Sequence, residues 1–567
     1  MKKDVKKITP LLVIAIVLIG TALPTKLLAA DSSAQDEKVS LVTDRDFYMA
    51  GESVFFKACN LSNSEMATLD WSKVLYIELI DGNANPVVRE KFTFDQNGAD
   101  GKISIPEVIP SGYYYVMAYT RWMRNFPASG FAWKTIKILN PFSEEVISGK
   151  DTLANSSIKN LQIAKGNENP SSFKRRQKAT FDLSLPQGIH GSICSSTVSV
   201  VRKGSHLGYH QPSNIGDPEF DKVTGDSIAF IPETRGVSVN GRVIDKVTGK
   251  GVAYARINLS VLGGEGNFHG TYSKVDGDFH FAIPEEYGER ELFMSVEKDS
   301  VPCKLLVDND FMQRKLVVPD AAFKLDSTER VLAERMMISE QLATSYAVSA
   351  AKDSIKKKQK SVYFFGQPSF HVDLDKYIKL PTLEEVFYEL VPSVMVVRHR
   401  GVPRFFVSGI HSDLQLYSPL VLLDRVPLSD MKNILSIPPE RIKSIDVVNA
   451  TYQRGDVIYG GIISMNSRQQ DLAGIDLPES SFFLEFQTLV QSDSAYIVSD
   501  VKGAGSPNIP MMGNTLYWQS DAVADKNNKI HVSFDTGDET GDFEVWLTSV
   551  TTDGKVFEKY VPITITR

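Results

Sequence analysis

The sequence predicts a mainly β protein, made of tandem β-sandwich domains with one smaller α+β unit. Short stretches with alternating apolar and polar residues recur along most of the 567 residues, separated by turns rich in Gly, Asn and Asp. Helix-forming sequence is found at 325–358 and at the start of a unit spanning 375–470. Hydrophobic residues at 42% and charged residues at 23% are ordinary globular values, which excludes wholesale disorder.

Residues 1–30 have the three parts of a secretory signal peptide. Four lysines between Lys2 and Lys7 precede an apolar stretch, Leu11–Leu23, and the small-residue exit Leu28–Ala30. We therefore predict export and cleavage after Ala30. A retained membrane anchor is the alternative, although the apolar run falls short of the ~20 residues that a span needs. No later stretch is apolar enough for a spanning helix, so we expect no membrane span in the mature chain.

Charge and cysteine content narrow the classes of partner. Residues 1–30 carry five Lys and one Asp, so the rest of the chain has a net charge of −11 against −7 for the whole. Such a chain has no overall attraction for nucleic acid, and we predict no nucleic-acid partner. Its three cysteines, Cys59, Cys194 and Cys303, lie far apart, so at most one disulfide can form. Buried free thiols are the preferred interpretation.

The first domain is predicted at 39–141. Strand-like segments surround a turn at Ala50-Gly51-Glu52 and a hairpin turn at Gly82-Asn83, the spacing typical of a β-sandwich. Thr43-Asp44-Arg45, the Ala50-Gly51-Glu52 turn and the aromatic run Ser111–Asn125 resemble the macroglobulin-type MG2 domain of exported Bacteroidetes proteins. A second, weaker β pattern follows at 158–232, in KATFDLSLP and SSTVSVVRKG, and predicts another macroglobulin-like domain.

The third domain is predicted at 236–318. Alternating strands are joined by turns, among them Asp276-Gly277, which predicts a hairpin between its flanking strands. The pattern resembles the carboxypeptidase-regulatory-like domain, which implies a small prealbumin-like sandwich without catalytic function. A connector helix is expected at 325–358, opening near Thr328 and Glu329, with the Met336–Met337 pair in the core.

The unit at 375–470 combines a helix-like start, PTLEEVFYEL, with the strand-like segments LLDRVP, IDVVNA and YGGIISM. These segments resemble the plug domain of TonB-dependent receptors. Large plugged barrels have ~22 strands, each of ~9–11 residues, and only residues 469–567 follow. The resemblance therefore implies a plug-like domain without its own barrel. The final stretch, 480–567, has the short strands and Asp-Gly turns of an immunoglobulin-like sandwich.

No catalytic, cofactor-binding or metal-ligating residues are predicted. The macroglobulin resemblance implies a thioester only where a Gln follows a Cys by three positions, and none of the three cysteines has one. His206 and His210 have a spacing that suits two ligands on a helix, but Gly204 and Gly208 favour a solvated loop. The basic run Arg398–Arg400 fits either a solvated face or a contact with a partner or an anionic headgroup.

Together these patterns predict a noncatalytic exported binding or scaffold protein of a Bacteroidetes-type cell envelope, in the periplasm or associated with the outer membrane. The resemblance to a plug implies an envelope protein as partner, such as a TonB-dependent transporter. One alternative is a receptor component whose barrel is a separate chain. Another is a secreted hydrolase or protease-related protein, which a polar pocket with convergent titratable groups would favour.

Overall fold

A computed structural model gives the structure of the protein. The residues that it describes are 37–61, 71–150, 161–165, 171–185, 193–208, 211–212, 214–220, 228–263, 267–284, 286–298, 301–350, 363–409, 412–492, 495–498 and 510–567. Strands dominate these ranges and form several packed sheets, which confirms the mainly β fold class. The predicted signal peptide and the predicted helix end at 351–358 lie outside the described residues.

The first sandwich contains eight strands: β1 (Val39–Thr43), β2 (Phe47–Met49), β3 (Ser53–Asn60), β4 (Val74–Ile80), β5 (Pro86–Thr93), β6 (Ala99–Ser104), β7 (Gly112–Thr120) and β8 (Ala132–Leu139). They form a sheet β1-β3-β6 packed against a sheet β2-β8-β7-β4-β5. Every residue of β7 is buried, so its tyrosines are core residues. Gly51 has φ +95° in the turn before β3, a backbone conformation that favours glycine.

Ten further strands follow before the first long helix: β9 (Leu161–Lys165), β10 (Ser171–Lys174), β11 (Lys178–Ser184), β12 (Ile193–Arg202), β13 (Val237–Asp245), β14 (Arg256–Leu262), β15 (Asn267–Tyr272), β16 (Asp278–Ile283), β17 (Glu289–Glu297) and β18 (Cys303–Val307). The last six form a central sandwich, with sheets β16-β13-β18 and β15-β14-β17. The hairpin predicted at Asp276-Gly277 is wrong. β15 and β16 belong to opposite sheets, so this turn crosses between layers.

Helix α1 (Ser327–Ala350) packs against the first sandwich. Met336 is fully buried and belongs to a cluster with Phe47 and Met49 of β2, as expected for a core residue. At the start of α1, the Lys137 Nζ donates to both carboxylate oxygens of Glu329 at 2.8 Å and to a backbone carbonyl at 2.6 Å. This buried ion pair fixes the beginning of the helix on β8.

The α+β unit comprises β19 (Phe370–Asp373), α2 (Leu383–Leu390), β20 (Val394–His399), β21 (Val402–Val407), β22 (Leu420–Leu423), β23 (Val426–Pro427), α3 (Met431–Leu435), β24 (Ile442–Val448), β25 (Tyr452–Arg454), β26 (Val457–Tyr459) and β27 (Ile462–Ser467). Its main sheet has the order β19-β24-β27-β22-β23, and β20-β21 and β25-β26 are separate hairpins. The Thr382 hydroxyl caps α2 by accepting a hydrogen bond from the Glu385 amide.

Six strands close the chain: β28 (Ser481–Gln487), β29 (Ala495–Ile497), β30 (Thr515–Gln519), β31 (Lys529–Asp535), β32 (Gly541–Thr551) and β33 (Val556–Thr566). Short 3-10 helices occur at Trp122–Asn125, Ala128–Gly130, Leu374–Lys376, Ser412–Leu416, Pro439–Arg441 and Leu472–Gly474. β28 pairs antiparallel with β17 and therefore extends the central sandwich rather than the final domain.

The stretches at 158–232 and 480–567, predicted as two domains, share one sandwich. β12 lies between β32 and β30 in a sheet of order β10-β33-β32-β12-β30-β29, and β9 pairs with the other half of β33. β11 and β31 pair as the facing layer. We call this unit the composite sandwich. Alternation reveals that a segment is a strand, but its partner depends on contacts far away in the chain.

Buried ion pairs also join the first sandwich to the central one. The Lys91 Nζ donates to Asp310 at 2.6 Å and to the Gln487 carbonyl at 2.8 Å, with its side chain fully buried. We expect Lys91→Met to lower the free energy of unfolding by about 3–5 kcal/mol, because it leaves the carboxylate unpaired in the interior. Urea titration measures this loss.

The matched control is Arg242→Met, which removes an ion pair with Asp278 at 2.6 Å in which both side chains are about half exposed. Solvent-exposed pairs contribute about 0–1 kcal/mol, so this variant should stay near the wild type. Equal losses in the two variants would contradict the assigned burial of Lys91.

Candidate functional site

A buried polar network joins the first sandwich to the composite sandwich. The Arg45 Nε donates to the Thr515 hydroxyl at 3.0 Å, and its Nη atoms pair with both oxygens of Glu52 at 2.9–3.0 Å. Asp44 accepts from the Tyr48 hydroxyl at 2.7 Å and from the Thr515 hydroxyl at 2.5 Å. Burial raises the pKa of Asp44, while Arg45 acts in the opposite direction. The network includes two motifs of the first-domain resemblance, Thr43–Arg45 and Ala50–Glu52.

A cavity of about 270 Å³ lies beside this network, between the first sandwich, α1 and the composite sandwich. Glu340 of α1 lines it together with Glu52, Lys102, Tyr496 and several residues before β30. Burial, followed by the nearby Glu52 carboxylate, raises the pKa of Glu340 to about 7. The proton of Glu340 therefore prevents two carboxylates from repelling each other at the junction.

A second cavity, of about 180 Å³, lies between β1, β8 and the composite sandwich. His206 lines it, stacked on Trp546 with ring centroids 4.0 Å apart and with its side chain 4% exposed. Its ring nitrogens lie 3.7 Å from Asp46 and 3.9 Å from Glu558. The solvated position expected for His206 is therefore wrong, because the stacking contact draws the loop into the junction. His210 lies outside the described residues.

Titratable groups around both cavities form ion pairs, each within one sandwich. Lys134 pairs with Asp46 at 2.7 Å, and Arg202 pairs with Glu539 at 2.9 Å near α1. Among the described residues, no group of three or more His, Cys, Asp or Glu side chains is placed to hold a metal ion. These cavities are part of the junctions that hold the sandwiches in place.

The exposed candidate site is on the α+β unit, at the hairpin β20-β21. Opposite residues of an antiparallel pair face the same side, so Met395, Val397, Val402, Arg404 and Phe406 share one face. Met395, Val397 and Val402 are 45–47% exposed. Within the described ranges, β20 and β21 pair only with each other. The hairpin thus presents an apolar strip to solvent, which we call the hairpin face.

The opposite side of the hairpin anchors it. Val394, Phe405 and Val407 are buried in the core of the α+β unit, and Phe405 packs on Phe387 of α2 with centroids 4.7 Å apart. Arg398 donates to both carboxylate oxygens of Glu384 at 2.7 Å. The hairpin face is therefore presented by a fixed element rather than a free loop.

A surface cavity of about 300 Å³ is lined in part by α2. Its lining combines apolar residues, such as Leu380, Val386 and Leu390, with charged ones, such as Glu440 and Arg468. At its edge Ile378 is 82% exposed, and Tyr388 of α2 is 87% exposed. Hairpin and cavity both contact α2, through Phe387 and Val386 respectively, and exposed apolar clusters of this kind mark interaction sites.

Basic residues surround the tip of the hairpin. Arg400 and Gly401 both have positive φ, as a two-residue hairpin turn requires. His399, Arg400 and Arg404 are exposed, whereas Arg398 is engaged by Glu384. The basic run was found in the sequence, but the hairpin face was not. The signal for the hairpin face is the alternation of Met395, Val397 and His399 opposite Val402 and Arg404. Recognising that signal requires knowledge of the pairing register.

No protein-family model and no curated protein matches the chain. Among solved structures, Salmonella α-2-macroglobulin reacted with methylamine and native E. coli α-2-macroglobulin each align at 9% identity and a TM-score of 0.23. Each alignment covers 94% of this chain and 40% of the solved chain. Dimeric latent PorU from Porphyromonas gingivalis aligns at 10% identity and a TM-score of 0.15, over 50% of this chain and 34% of its own.

The chain thus spans about 40% of the length of the macroglobulin structures that it matches. Across the part of the chain that the structure describes, no helix is both long and apolar enough to cross a membrane.

We expect the contribution of Glu340 to stability to fall as pH rises from about 4.5 to about 7. In this window the folded state keeps the Glu340 proton and the unfolded state has lost it, so raising the pH favours unfolding. Glu340→Gln should remove this contribution, about 3 kcal/mol at the upper end of the window, and change the slope of stability against pH accordingly. The midpoints of urea unfolding, measured for both proteins across this pH range, check this prediction.

Glu334→Gln is the matched control, because Glu334 lies on the same helix with its side chain exposed. It should leave the slope of the wild type unchanged. A Glu340→Gln variant with the slope of the wild type would show that this carboxyl does not titrate in the window.

Proposed function

We propose that the protein is a noncatalytic exported scaffold of a Bacteroidetes-type cell envelope, in the periplasm or associated with the outer membrane. Its α+β unit binds a protein of a TonB-dependent transport system. The observation that carries this proposal is the hairpin face, on the unit whose sequence resembles a receptor plug. The signal-like segment at 1–30 supports the exported location.

The hairpin face suits protein binding because it is already ordered. Its inner side chains are buried and Arg398 is tied to Glu384, so docking costs little conformational freedom. Within the described residues β20 and β21 pair only with each other, so pairing with an added partner strand is one available mode of binding. An extended segment with alternating apolar residues fits this surface.

The charge around the hairpin tip specifies the partner further. His399, Arg400 and Arg404 form an exposed basic cluster on a chain whose overall charge is negative. A partner with acidic residues beside its apolar strip would be oriented by this cluster, and complementary charges mainly improve association rate and specificity.

The junctions support a scaffold rather than an enzyme. Contacts between the first and composite sandwiches include the ion pair of Lys57 with Asp521 at 2.9 Å and the hydrogen bond from Arg45 to the Thr515 hydroxyl at 3.0 Å. Removing them would loosen the connection between the sandwiches. These contacts fix the position of the first sandwich on the composite sandwich, which suits a protein that presents a binding surface at a set place.

We expect the double variant Val397→Glu/Val402→Glu to lose partner binding. Two carboxylates on the hairpin face oppose burial of the apolar strip, and recovery of the partner should fall at least about tenfold. The measurement is quantitative mass spectrometry of outer-membrane transporters that co-purify with the tagged full-length protein after gentle detergent extraction.

Val275→Glu is the control, since Val275 is 73% exposed but lies on the central sandwich. It should recover the transporter as well as the wild type does. The proposal fails if the wild type recovers no outer-membrane transporter above background, or if the double variant and Val275→Glu recover equal amounts.

A further inference from the structure

Two of the three cysteines meet at the junction of the first and composite sandwiches. Cys59, near the end of β3, is completely buried. Cys194 lies in β12, where the pairing with β32 shifts register between Ile193 and Ser195. Such an irregularity redirects a side chain out of the regular alternation. The shift places Cys194 against the first sandwich, although it is far from Cys59 in the sequence.

The contacts of Cys194 show how near the two thiols are. Its Sγ donates to the carbonyl of Asn60, the residue after Cys59, at 3.3 Å. Both cysteines pack in one apolar cluster with Phe55, Trp518 and Val550, which spans the two sandwiches.

We propose that Cys59 and Cys194 form a reversible disulfide that covalently locks the first sandwich onto the composite sandwich. Both residues are free thiols in the structure. The pair lies in a chain with a secretory-type leader, and oxidising compartments are where such bonds form and persist.

The different environments of the two thiols set the order of the reaction. Cys194 is partly exposed and Cys59 is not. The neighbouring Cys59 thiol, followed by the positive charge of Lys57, lowers the pKa of Cys194 despite its burial, whereas the neighbouring Cys194 thiol and burial raise the pKa of Cys59. Cys194 is therefore the thiol that reacts first.

The oxidant is a disulfide compound, either a thiol–disulfide oxidoreductase or a small disulfide. The Cys194 thiolate attacks one sulfur of that disulfide and releases the other as a thiolate, which leaves a mixed disulfide. Cys59 then loses its proton and attacks the Sγ of Cys194, which releases the second sulfur. The two protein thiols give up two protons and two electrons, and the oxidant is reduced to two thiols.

The bond would close a long loop containing most of the first sandwich. In the chain-entropy account, cross-links that close long loops reduce the freedom of the unfolded chain the most. Their effect is largest where the native geometry already brings the sulfurs together. The disulfide would add a covalent bond to the junction where Arg45 already donates a hydrogen bond to Thr515.

The test oxidises the folded full-length protein with oxidised glutathione, blocks remaining thiols by alkylation and maps the peptides without reduction. We expect a cross-linked Cys59–Cys194 peptide that has lost the mass of two hydrogens, with Cys303 alkylated after unfolding. The oxidised form should melt higher by on the order of 5 °C, and dithiothreitol should reverse the rise.

Variants separate this bond from other effects of oxidation. Cys194→Ser should lose both the cross-link and the melting shift, while Cys303→Ser, whose cysteine is buried in the central sandwich, should keep both. Alkylated Cys59 and Cys194 in the oxidised wild type would overturn the proposal. So would a cross-link that involves Cys303, or a melting shift that persists in Cys194→Ser.

Discussion

The buried guanidinium of Arg45 decides how the first sandwich sits on the rest of the molecule. Its partners come from both sides of the junction, Glu52 from the first sandwich and Thr515 from the composite sandwich. A buried charge is tolerated only where its hydrogen bonds are complete, and Thr515 completes them. The polar groups of the two sandwiches therefore complement each other around Arg45. The helix α1 lies on the same junction, since the Asn514 amide donates to both Glu52 and the Met336 carbonyl.

The two halves of the composite sandwich are far apart in the sequence. Its strands β9–β12 and β29–β33 are separated in the sequence by the central sandwich, α1 and the α+β unit. These units are thus an insertion within one sandwich, and their entry and exit points are fixed by the same sheet. Pairing over so long an interval requires loop closure before it contributes stability, so we expect this sheet to form late in folding.

The candidate site also depends on contacts between segments that are separate in the sequence. α2 contacts both the hairpin, through Phe387 against Phe405, and the surface cavity, through Val386. The outward side of this region keeps Tyr388 and Ile378 in solvent. The helix-like pattern of α2 was visible in the sequence, but its packing against the hairpin was not.

The sequence by itself determined the kind of local structure, because strand alternation, turn residues and caps act over a few residues. The turn at Gly51, the helix from Thr382 and the buried tyrosines of β7 were all predictable in this way. Only the tertiary structure decided which strands pair. It united 158–232 with 480–567, moved β28 to the central sandwich and brought Cys194 beside Cys59. The physical reason is that strand pairing and junction contacts are chosen by complementarity between distant segments, which no local pattern encodes.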